Sequence, residues 1–456
     1  MNNRIRILYI AYYFPPLGGV ASLRSLKMVK YLDKLGIDSS VLCLSPKGMN
    51  YPTDNMLLDQ VPASTRIYRF NCLDLSWFFK GLFALRLNWF VRFLSQNLFI
   101  PDQYIICRKA AARALHSMLN KEARLCDSAD TNLKIAVISS GPPSSLFLGL
   151  VLKQKYSMDF ICDFRDEWTN NPERLNINYP HRSQTKELIW EARILAAAKG
   201  LSYLTDIMRK NFENRYSFLK NKPFREIQNG YDEADFAHLE PQTEESNQVT
   251  IVYTGSFYDR RQPDSLWQAI SELHSEGKIQ EDTIRIIITG NNNRGFVLGR
   301  FAESSLINTV VFLEPFTSHA ESLQKMNDAS ALLLYIPSGK NTQSVLTGKI
   351  FDYIRSGRPI LAIVPPDGLA ASIVKDSGLG FVADHMDIRG IKSSLVKLVK
   401  LHENSLQELQ PNWSYIEQYS RENQAAKLAG LIHECLKPSQ PGNSPATSES
   451  EARIKL

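Results

Sequence analysis

The sequence predicts an α/β protein made of two doubly wound, Rossmann-like domains that face each other across a cleft. Short apolar runs alternate with longer amphipathic stretches, as strands and helices do in parallel sheets. This alternation occurs twice, and a polar stretch at residues 241–248 separates the two sets. With 456 residues, of which 44% are hydrophobic, the chain has enough apolar material for two cores.

Each set supplies about six strands. The first set is predicted at residues 6–14, 39–44, 65–70, 134–139, 160–164 and 201–204, with helices at 23–35, 146–156, 186–199 and 206–216. The second set is predicted at residues 250–253, 284–289, 310–313, 331–335, 360–364 and 380–383. We therefore expect an N-terminal domain at 1–225, a C-terminal domain at 226–412, a helical segment at 413–436 and a disordered, Pro- and Ser-rich tail at 437–456.

An insertion at residues 73–106 interrupts the first set. Trp, Phe and Leu crowd residues 73–100, but Lys80, Arg86 and Arg92 leave no uncharged run long enough to span a bilayer. A basic, aromatic, amphipathic helix suits the membrane interface, so we expect a cytoplasmic protein that touches the inner membrane face peripherally through this segment. The alternative is a helical insertion that packs on the core and turns its cations outward.

Bulk composition narrows the class of ligand. The net charge of +6 is mild and spread along the chain, which favours an anionic small ligand or an acidic membrane surface over nucleic acid. The six cysteines form no C-x-x-C pair, which argues against zinc and dithiol sites and suits a reducing cytosol. The first apolar run ends at Pro15 and Pro16, as a buried strand would, and lacks the cleavage site of a signal peptide. P-loop, nucleophile-elbow and zinc-protease motifs are absent from the sequence.

Residues 343–366 (QSVLTGKIFDYIRSGRPILAIVPP) read as a helix, a sharp stop and a buried strand. Thr347 is placed to cap the helix, with Gly348 and Lys349 at its first turn. A helix N-terminus favours phosphate, and Lys349 adds a positive charge there. Asp352, one turn later, is suited to accept hydrogen bonds from sugar hydroxyls. The alternative is an exposed i, i+3 ion pair between Lys349 and Asp352.

Two loops of the first domain carry candidate groups. Gly18 and Gly19 let the backbone approach a ligand closely, although they would also suit a tight turn without a ligand. The string CDFRDEW brings Asp163, Arg165 and Asp166 to the end of a strand, where ligands bind in doubly wound sheets. A carboxylate there would bind sugar hydroxyls or take a proton. The alternative is an Arg–Asp pair that holds the loop.

Two loops of the second domain suit a diphosphate. Gly255 follows a predicted strand, and Arg260 and Arg261 come shortly after it. Arginine grips phosphate with two donors, although a solvated basic turn is the alternative. Phe316 lies in the loop at 314–318 and Ser344 in the loop at 344–349, both of which follow predicted strands.

Six segments, given below in chain order, together resemble a bacterial glycosyltransferase of the family-4 type, which has the GT-B fold. The resemblance covers residues 4–436, and the FRDEW string is similar to a subgroup with an F-R-D-x-W motif. The segments are ILYIAYYFPPLGGVASLRSLKMVKYL, SSGPPSS, FICDFRDEW, IQNGYD, IVYTGSFYDRRQP and GKIFDYIRSGRPILAIVPPDG.

The resemblance implies a retaining transferase that uses a nucleotide sugar and needs neither cofactor nor metal. It implies donor binding in the C-terminal domain, acceptor binding mainly in the N-terminal domain, and a C-terminal helix that crosses back to the N-terminal domain. Asp352 would hold the donor ribose, and Lys349 with Arg260 or Arg261 would hold the diphosphate. Ser344 stands where many members carry a glutamate that contacts the transferred sugar, and the usual N-terminal-domain histidine has no counterpart.

We therefore expect transfer of a hexose from a UDP- or GDP-sugar to a glycan or lipid-linked acceptor. The expected setting is synthesis of a cell-surface polysaccharide such as capsule, exopolysaccharide or lipopolysaccharide. Two alternatives stay open: a GT-B nucleotide-sugar 2-epimerase, and a non-catalytic partner that binds nucleotide sugars.

Overall fold

The chain folds into two compact α/β units. Unit 1 comprises Met1–Gln228 and Glu422–Leu456, and unit 2 comprises Asn229–Arg421; the sequence predicted the division between residues 225 and 226. The computed structural model describes residues 4–125, 133–171, 179–239, 248–255, 257, 262–290, 297–299, 301, 304–315, 317–337, 339, 342–403 and 409–438.

Unit 1 contains a seven-stranded parallel sheet. Its strands are β1 (Ile5–Ile10), β2 (Ile37–Leu44), β3 (Arg66–Phe70), β4 (Ala136–Ser139), β5 (Phe160–Asp163), β6 (Gly200–Tyr203) and β7 (Phe224–Glu226). They lie in the order β3-β2-β1-β4-β5-β6-β7. All strands are parallel, but successive strands are added in one direction from β1 to β3 and in the opposite direction from β4 to β7. The switch point between β1 and β4 is where doubly wound sheets bind ligands.

The helices of unit 1 cover both faces of this sheet. They are α1 (Gly19–Lys34), α2 (Ser76–Ala84), α3 (Asn88–Asn97), α4 (Arg108–Leu125), α5 (Phe147–Tyr156), α6 (His181–Ala197) and α7 (Asp206–Arg215). A last helix, Arg421–Leu436, buries Leu428, Leu431 and Ile432 in the same apolar cluster as β1 and α1. The C-terminal helix therefore returns to the N-terminal unit, as the resemblance implied. It begins at Arg421 and not at 413, because a separate short helix precedes it in unit 2.

Unit 2 contains a six-stranded parallel sheet in the order β10-β9-β8-β11-β12-β13. Its strands are β8 (Val249–Thr254), β9 (Ile284–Thr289), β10 (Val311–Glu314), β11 (Ala331–Tyr335), β12 (Ile360–Ile363) and β13 (Gly380–Ala383). Its helices are α8 (Glu233–Phe236), α9 (Asp264–Ser275), α10 (His319–Asp328), α11 (Lys349–Ser356), α12 (Leu369–Asp376), α13 (Ile388–Glu403) and α14 (Trp413–Glu417), and the helix Arg421–Leu436 is α15. The switch point lies between β8 and β11. Two parallel-sheet units confirm the predicted fold class.

The insertion differs from the single helix that we predicted. It forms the two helices α2 and α3, which we call the aromatic hairpin. The break lies at Arg86, whose φ of 57° is left-handed. The core-packing alternative is also wrong for most of the hairpin, because α2 buries no residue and α3 buries only Val91. Within the described residues, no helix is both long enough and apolar enough to cross a membrane.

One cysteine pair departs from the expectation of scattered thiols. Cys72 and Cys107 form a disulfide that closes the insertion, with Cα atoms 5.4 Å apart. Their 35-residue separation concealed the pairing, since only the fold brings the two ends of the insertion together. Cys43, Cys162 and Cys435 are buried free thiols.

Candidate functional site

Gly255 and Lys349 come together at the switch point of unit 2. Gly255 follows β8 with φ +141°, a conformation that L side chains rarely adopt. A Cβ atom at this position would collide with Nζ of Lys349, so a side chain here would force the ammonium group to move. Lys349 Nζ also lies 3.9 Å from the ring centroid of Tyr253, within cation–π distance. The structure thus directs a cation toward the end of the central strand.

An aromatic cluster supports this lysine. Tyr253 stacks on Phe257 with ring centroids 4.3 Å apart, and Phe257 meets Tyr335 edge to face. Tyr335 donates a hydrogen bond from its hydroxyl to the carbonyl of Gln262, at 2.8 Å. The three rings therefore give the ammonium group a fixed surface. Tyr253 lies near the end of β8 and Tyr335 is the last residue of β11. The sequence did not identify either of them as a site residue.

Helix α11 brings Lys349 and Asp352 to this position. Ile350, Tyr353 and Ile354 are buried, and the Tyr353 hydroxyl accepts a hydrogen bond from the backbone N–H of Thr254, at 3.2 Å. That bond joins the helix to the end of β8. Asp352 lies in the first turn, three residues after Lys349.

The start of α11 corrects one prediction. Thr347 does not cap the helix, because the N-cap residue is Gly348, which has helical dihedrals and no side chain to accept a hydrogen bond from the first turn. The Oγ1 atom of Thr347 is buried without a hydrogen-bond partner among the described residues. Ser344 ends a short 3₁₀ turn just before this loop and is half-buried. The buried Thr347 hydroxyl, beside the N-terminus of α11, is a polar group suited to bind a ligand. Arg260, Arg261 and Phe316 lie outside the described residues.

In unit 1 the structure makes Asp163 the centre of a buried network. Asp163 and Arg24 are both fully buried. Arg24 donates to Asp163 at 2.8 and 3.3 Å and to the carbonyls of Ile227 and Gln228, and Ser202 donates to Asp163 at 2.6 Å. Burial opposes the charged carboxylate, but the Arg24 guanidinium outweighs it and holds the pKa of Asp163 below its usual value. The Arg–Asp pair left open by the sequence is present, with Arg24 as the arginine.

Arg165 and Asp166 extend from this network toward the carboxyl edge of the sheet. Asp166 is exposed, whereas Arg165 is half-buried. The Nε atom of Arg165 is buried and lacks a hydrogen-bond partner among the described residues. Burial lowers the pKa of Arg165 from its usual value, although a guanidinium stays charged at neutral pH. A Cβ at Gly141 would lie 2.9 Å from its Nη1 atom, so Gly141 makes room for this side chain.

The glycine loop adds Tyr51, a residue that the sequence analysis missed. Gly19 has φ +78°, and a Cβ there would lie 2.9 Å from the Tyr51 hydroxyl. Tyr51 stacks on Tyr13 with centroids 4.9 Å apart, and the hydroxyls of Tyr13 and Tyr104 are 2.9 Å apart. Burial raises the pKa of Tyr51, and the nearby charge of Arg165 opposes the rise. Gly19, Tyr51 and Arg165 therefore form one polar cluster. No local motif marks Tyr51, because its neighbours come from distant parts of the chain.

Unit 1 also contains an apolar groove, whose lining residue Tyr12 packs edge to face against Tyr104. Its volume is about 320 Å³, and its lining includes Tyr12, Phe147, Leu148 and Val151, with Arg108 and Lys109 adding two cations. Such a lining suits a ligand with an apolar part and an anionic part.

Comparison with solved structures identifies the fold. Sucrose-phosphate synthase from Thermosynechococcus elongatus superposes with a TM-score of 0.62 at 12% identity, over 94% of this chain and 99% of that one. A glycosyltransferase from Rickettsia africae ESF-5 gives 0.61 at 14% identity, over 96% and 100%. A variant of S. aureus TarM, in complex with Fondaparinux, alpha-GlcNAc-glycerol and UDP, gives 0.52 at 12% identity, over 94% and 99%.

The sequence itself shows far less similarity to known proteins than the fold does. No family model and no curated protein sequence matches the chain. Identities of 12–14% establish a shared fold alone. The chain therefore has the GT-B fold of these glycosyltransferases, along nearly its full length.

Proposed function

We propose that this protein is a retaining glycosyltransferase that transfers a hexose from a UDP- or GDP-sugar to a glycan or lipid-linked acceptor. The observation that carries the proposal is the meeting of Gly255 and Lys349 at the switch point of unit 2. A cation at the N-terminal end of α11, beside a strand end without a side chain, suits the diphosphate of a nucleotide sugar. The UDP bound to the structurally similar TarM supports the choice of ligand.

The donor would be held by side chains of unit 2. Lys349 binds the diphosphate, together with Arg260 or Arg261. Asp352 accepts hydrogen bonds from the ribose hydroxyls. Ser344 and Thr347 face the sugar and phosphate, and the unpartnered Thr347 hydroxyl supports a polar ligand at this position. Phe316 contributes an apolar contact to the donor.

The acceptor would be held by unit 1. Gly18 and Gly19 lie against it, with Arg165 and Asp166 supplying a cation and a carboxylate. Asp163 acts as a positioning residue, because its buried pairing with Arg24 fixes the start of the loop that carries both groups. The apolar groove takes the apolar part of a lipid-linked acceptor, and Arg108 and Lys109 attract its phosphate.

In the transfer step an acceptor hydroxyl oxygen forms a bond to the anomeric carbon of the donor. The bond from that carbon to the diphosphate oxygen breaks on the same face, which retains the anomeric configuration. The electron pair leaves with the nucleoside diphosphate, and its phosphate oxygen receives the hydroxyl proton. Lys349 and the helix N-terminus stabilise the developing charge, an effect often worth several kcal/mol.

The test is incubation of the pure protein with a panel of nucleotide sugars and a membrane lipid extract. We expect a donor-dependent glycosylated product and release of nucleoside diphosphate. Isomerised donor without transfer would identify a 2-epimerase, and binding without turnover of any donor would identify a non-catalytic partner; either result would overturn the proposal.

A further inference from the structure

We infer that the aromatic hairpin is a docking surface for an anionic lipid bilayer. The inference rests on the exposure, charge and anchoring of the hairpin itself, and it does not depend on the transferase assignment. The hairpin consists of α2 and α3, joined at residues 85–87 and closed at its base by the disulfide between Cys72 and Cys107.

The hairpin presents an unusually large set of apolar side chains to solvent. Eight apolar side chains of the hairpin and the residues that flank it are between 48% and 71% exposed, a concentration found nowhere else among the described residues. They are Leu73, Trp77, Phe78, Phe83, Leu85, Trp89, Phe93 and Leu98. Exposed apolar patches of this extent mark interaction surfaces, because water contact with each ring is costly. Tryptophan and phenylalanine are also the residues that settle at the boundary of headgroups and acyl chains.

The charge of the hairpin selects the type of surface. Between residues 75 and 101 the sequence contains Lys80, Arg86 and Arg92 but neither aspartate nor glutamate. All three cations are exposed, and Lys80 Nζ lies 5.2 Å from the ring centroid of Trp77. Cations interleaved with aromatic rings complement anionic headgroups above an apolar layer. A protein partner with a mixed surface would require acidic groups here as well as basic ones.

The base of the hairpin is fixed, which keeps the apolar side chains outward. Phe79 of α2 packs edge to face against Phe99, which follows α3, with centroids 5.7 Å apart. Beyond α3, Asp102 accepts hydrogen bonds from the N–H and hydroxyl of Ser144, both at 2.8 Å. Tyr104 contacts Tyr13, which stacks on Tyr51 beside the glycine loop. Docking would therefore bring the lipid surface close to the polar cluster of unit 1.

The test is flotation of the full chain with vesicles of phosphatidylcholine alone and of phosphatidylcholine with phosphatidylglycerol. We expect binding to the anionic vesicles, reduced by added salt. The variant Trp77→Ser/Trp89→Ser/Phe93→Ser should bind at least about tenfold more weakly. Its matched control is Trp413→Ser, because Trp413 is also half exposed but lies in unit 2.

A second variant separates the contribution of charge. Replacing Lys80, Arg86 and Arg92 with glutamine should weaken binding to anionic vesicles by about fivefold for each cation removed. Binding to neutral vesicles should change little. The control replaces Arg389, Lys397 and Lys400, which line a basic groove of unit 2. Both hairpin variants should keep the melting temperature of the wild type, because their side chains are exposed.

Two results would overturn the inference. One is equal vesicle binding by the wild type and the Trp77→Ser/Trp89→Ser/Phe93→Ser variant. The other is a wild-type chain that ignores anionic vesicles but forms a dimer, or captures a partner protein, through the same side chains.

Discussion

Replacing Asp163 with asparagine tests whether the carboxylate just before the F-R-D string has a structural role. The substitution would leave the Arg24 guanidinium buried without its counter-charge, since both side chains are about 1% exposed. Breaking a buried pair in this way costs about 3–5 kcal/mol. For a unit of this size, each kcal/mol corresponds to about 2–4 °C in melting temperature, so we expect a fall of roughly 10 °C.

The assay is thermal unfolding combined with hydrogen exchange of β5, with the strands of unit 2 as an internal reference. Asp166→Asn is the matched control, because Asp166 is exposed and three residues away; it should leave stability within about 0.5 kcal/mol of the wild type. The double variant Arg24→Met/Asp163→Leu should recover much of the loss, as apolar replacements of buried pairs do. Full stability of Asp163→Asn with abolished turnover would refute the structural role.

The remaining predictions concern pH, the donor loop and the glycine loop. The pKa of Asp163 is lower in the folded protein than its unfolded value of about 3.9, so the stabilisation by its carboxylate is present above about pH 4 and is lost as pH falls below that value. In urea titrations, Asp163→Asn should therefore lose less stability than the wild type between about pH 6 and pH 3. Equal losses in the two proteins would contradict this prediction. Gly255→Ala should cost about 1–3 kcal/mol of stability because of its backbone conformation, and its Cβ should displace Lys349 and weaken UDP binding in calorimetry. Unchanged affinity for UDP would show that the position of the lysine is unimportant. Gly19→Ala should impair acceptor use more than donor binding in steady-state kinetics, because its Cβ would press on Tyr51; an equal effect on both substrates would argue against an acceptor role for this loop.

Most of the fold could be predicted because strand and helix signals are local. Apolar runs identified six of the seven strands of unit 1 and the six strands of unit 2 within a few residues, whereas the short strand β7 was not predicted. The two units divide after Gln228, ahead of the polar stretch at 241–248. Helix α1 begins at Gly19 and not at Leu23, because its first turn exposes Val20 and buries Ser22, and so gives no apolar periodicity. The break in the hairpin was missed because residues 85–87 contain neither glycine nor proline.

Contacts between distant residues set the limit of prediction for the site. Lys349 and Asp352 could be proposed as site residues from helix position alone, and Gly255 from its place after a strand. The partner of Asp163 is 139 residues away in sequence, so the string CDFRDEW could not reveal Arg24. Tyr51 reaches the site through a stack with Tyr13 that no local pattern indicates. In each case the missing information was tertiary packing.

The affinity of the Lys349→Ala variant for UDP and GDP, measured by calorimetry, tests the central claim most directly. Loss of a charge-assisted contact to the diphosphate should weaken binding of the preferred nucleotide by about 10- to 100-fold. The control Lys400→Ala removes an exposed lysine from the same unit and should bind as the wild type does. Unchanged affinity in Lys349→Ala would contradict the assignment of the diphosphate to the Gly255–Lys349 site.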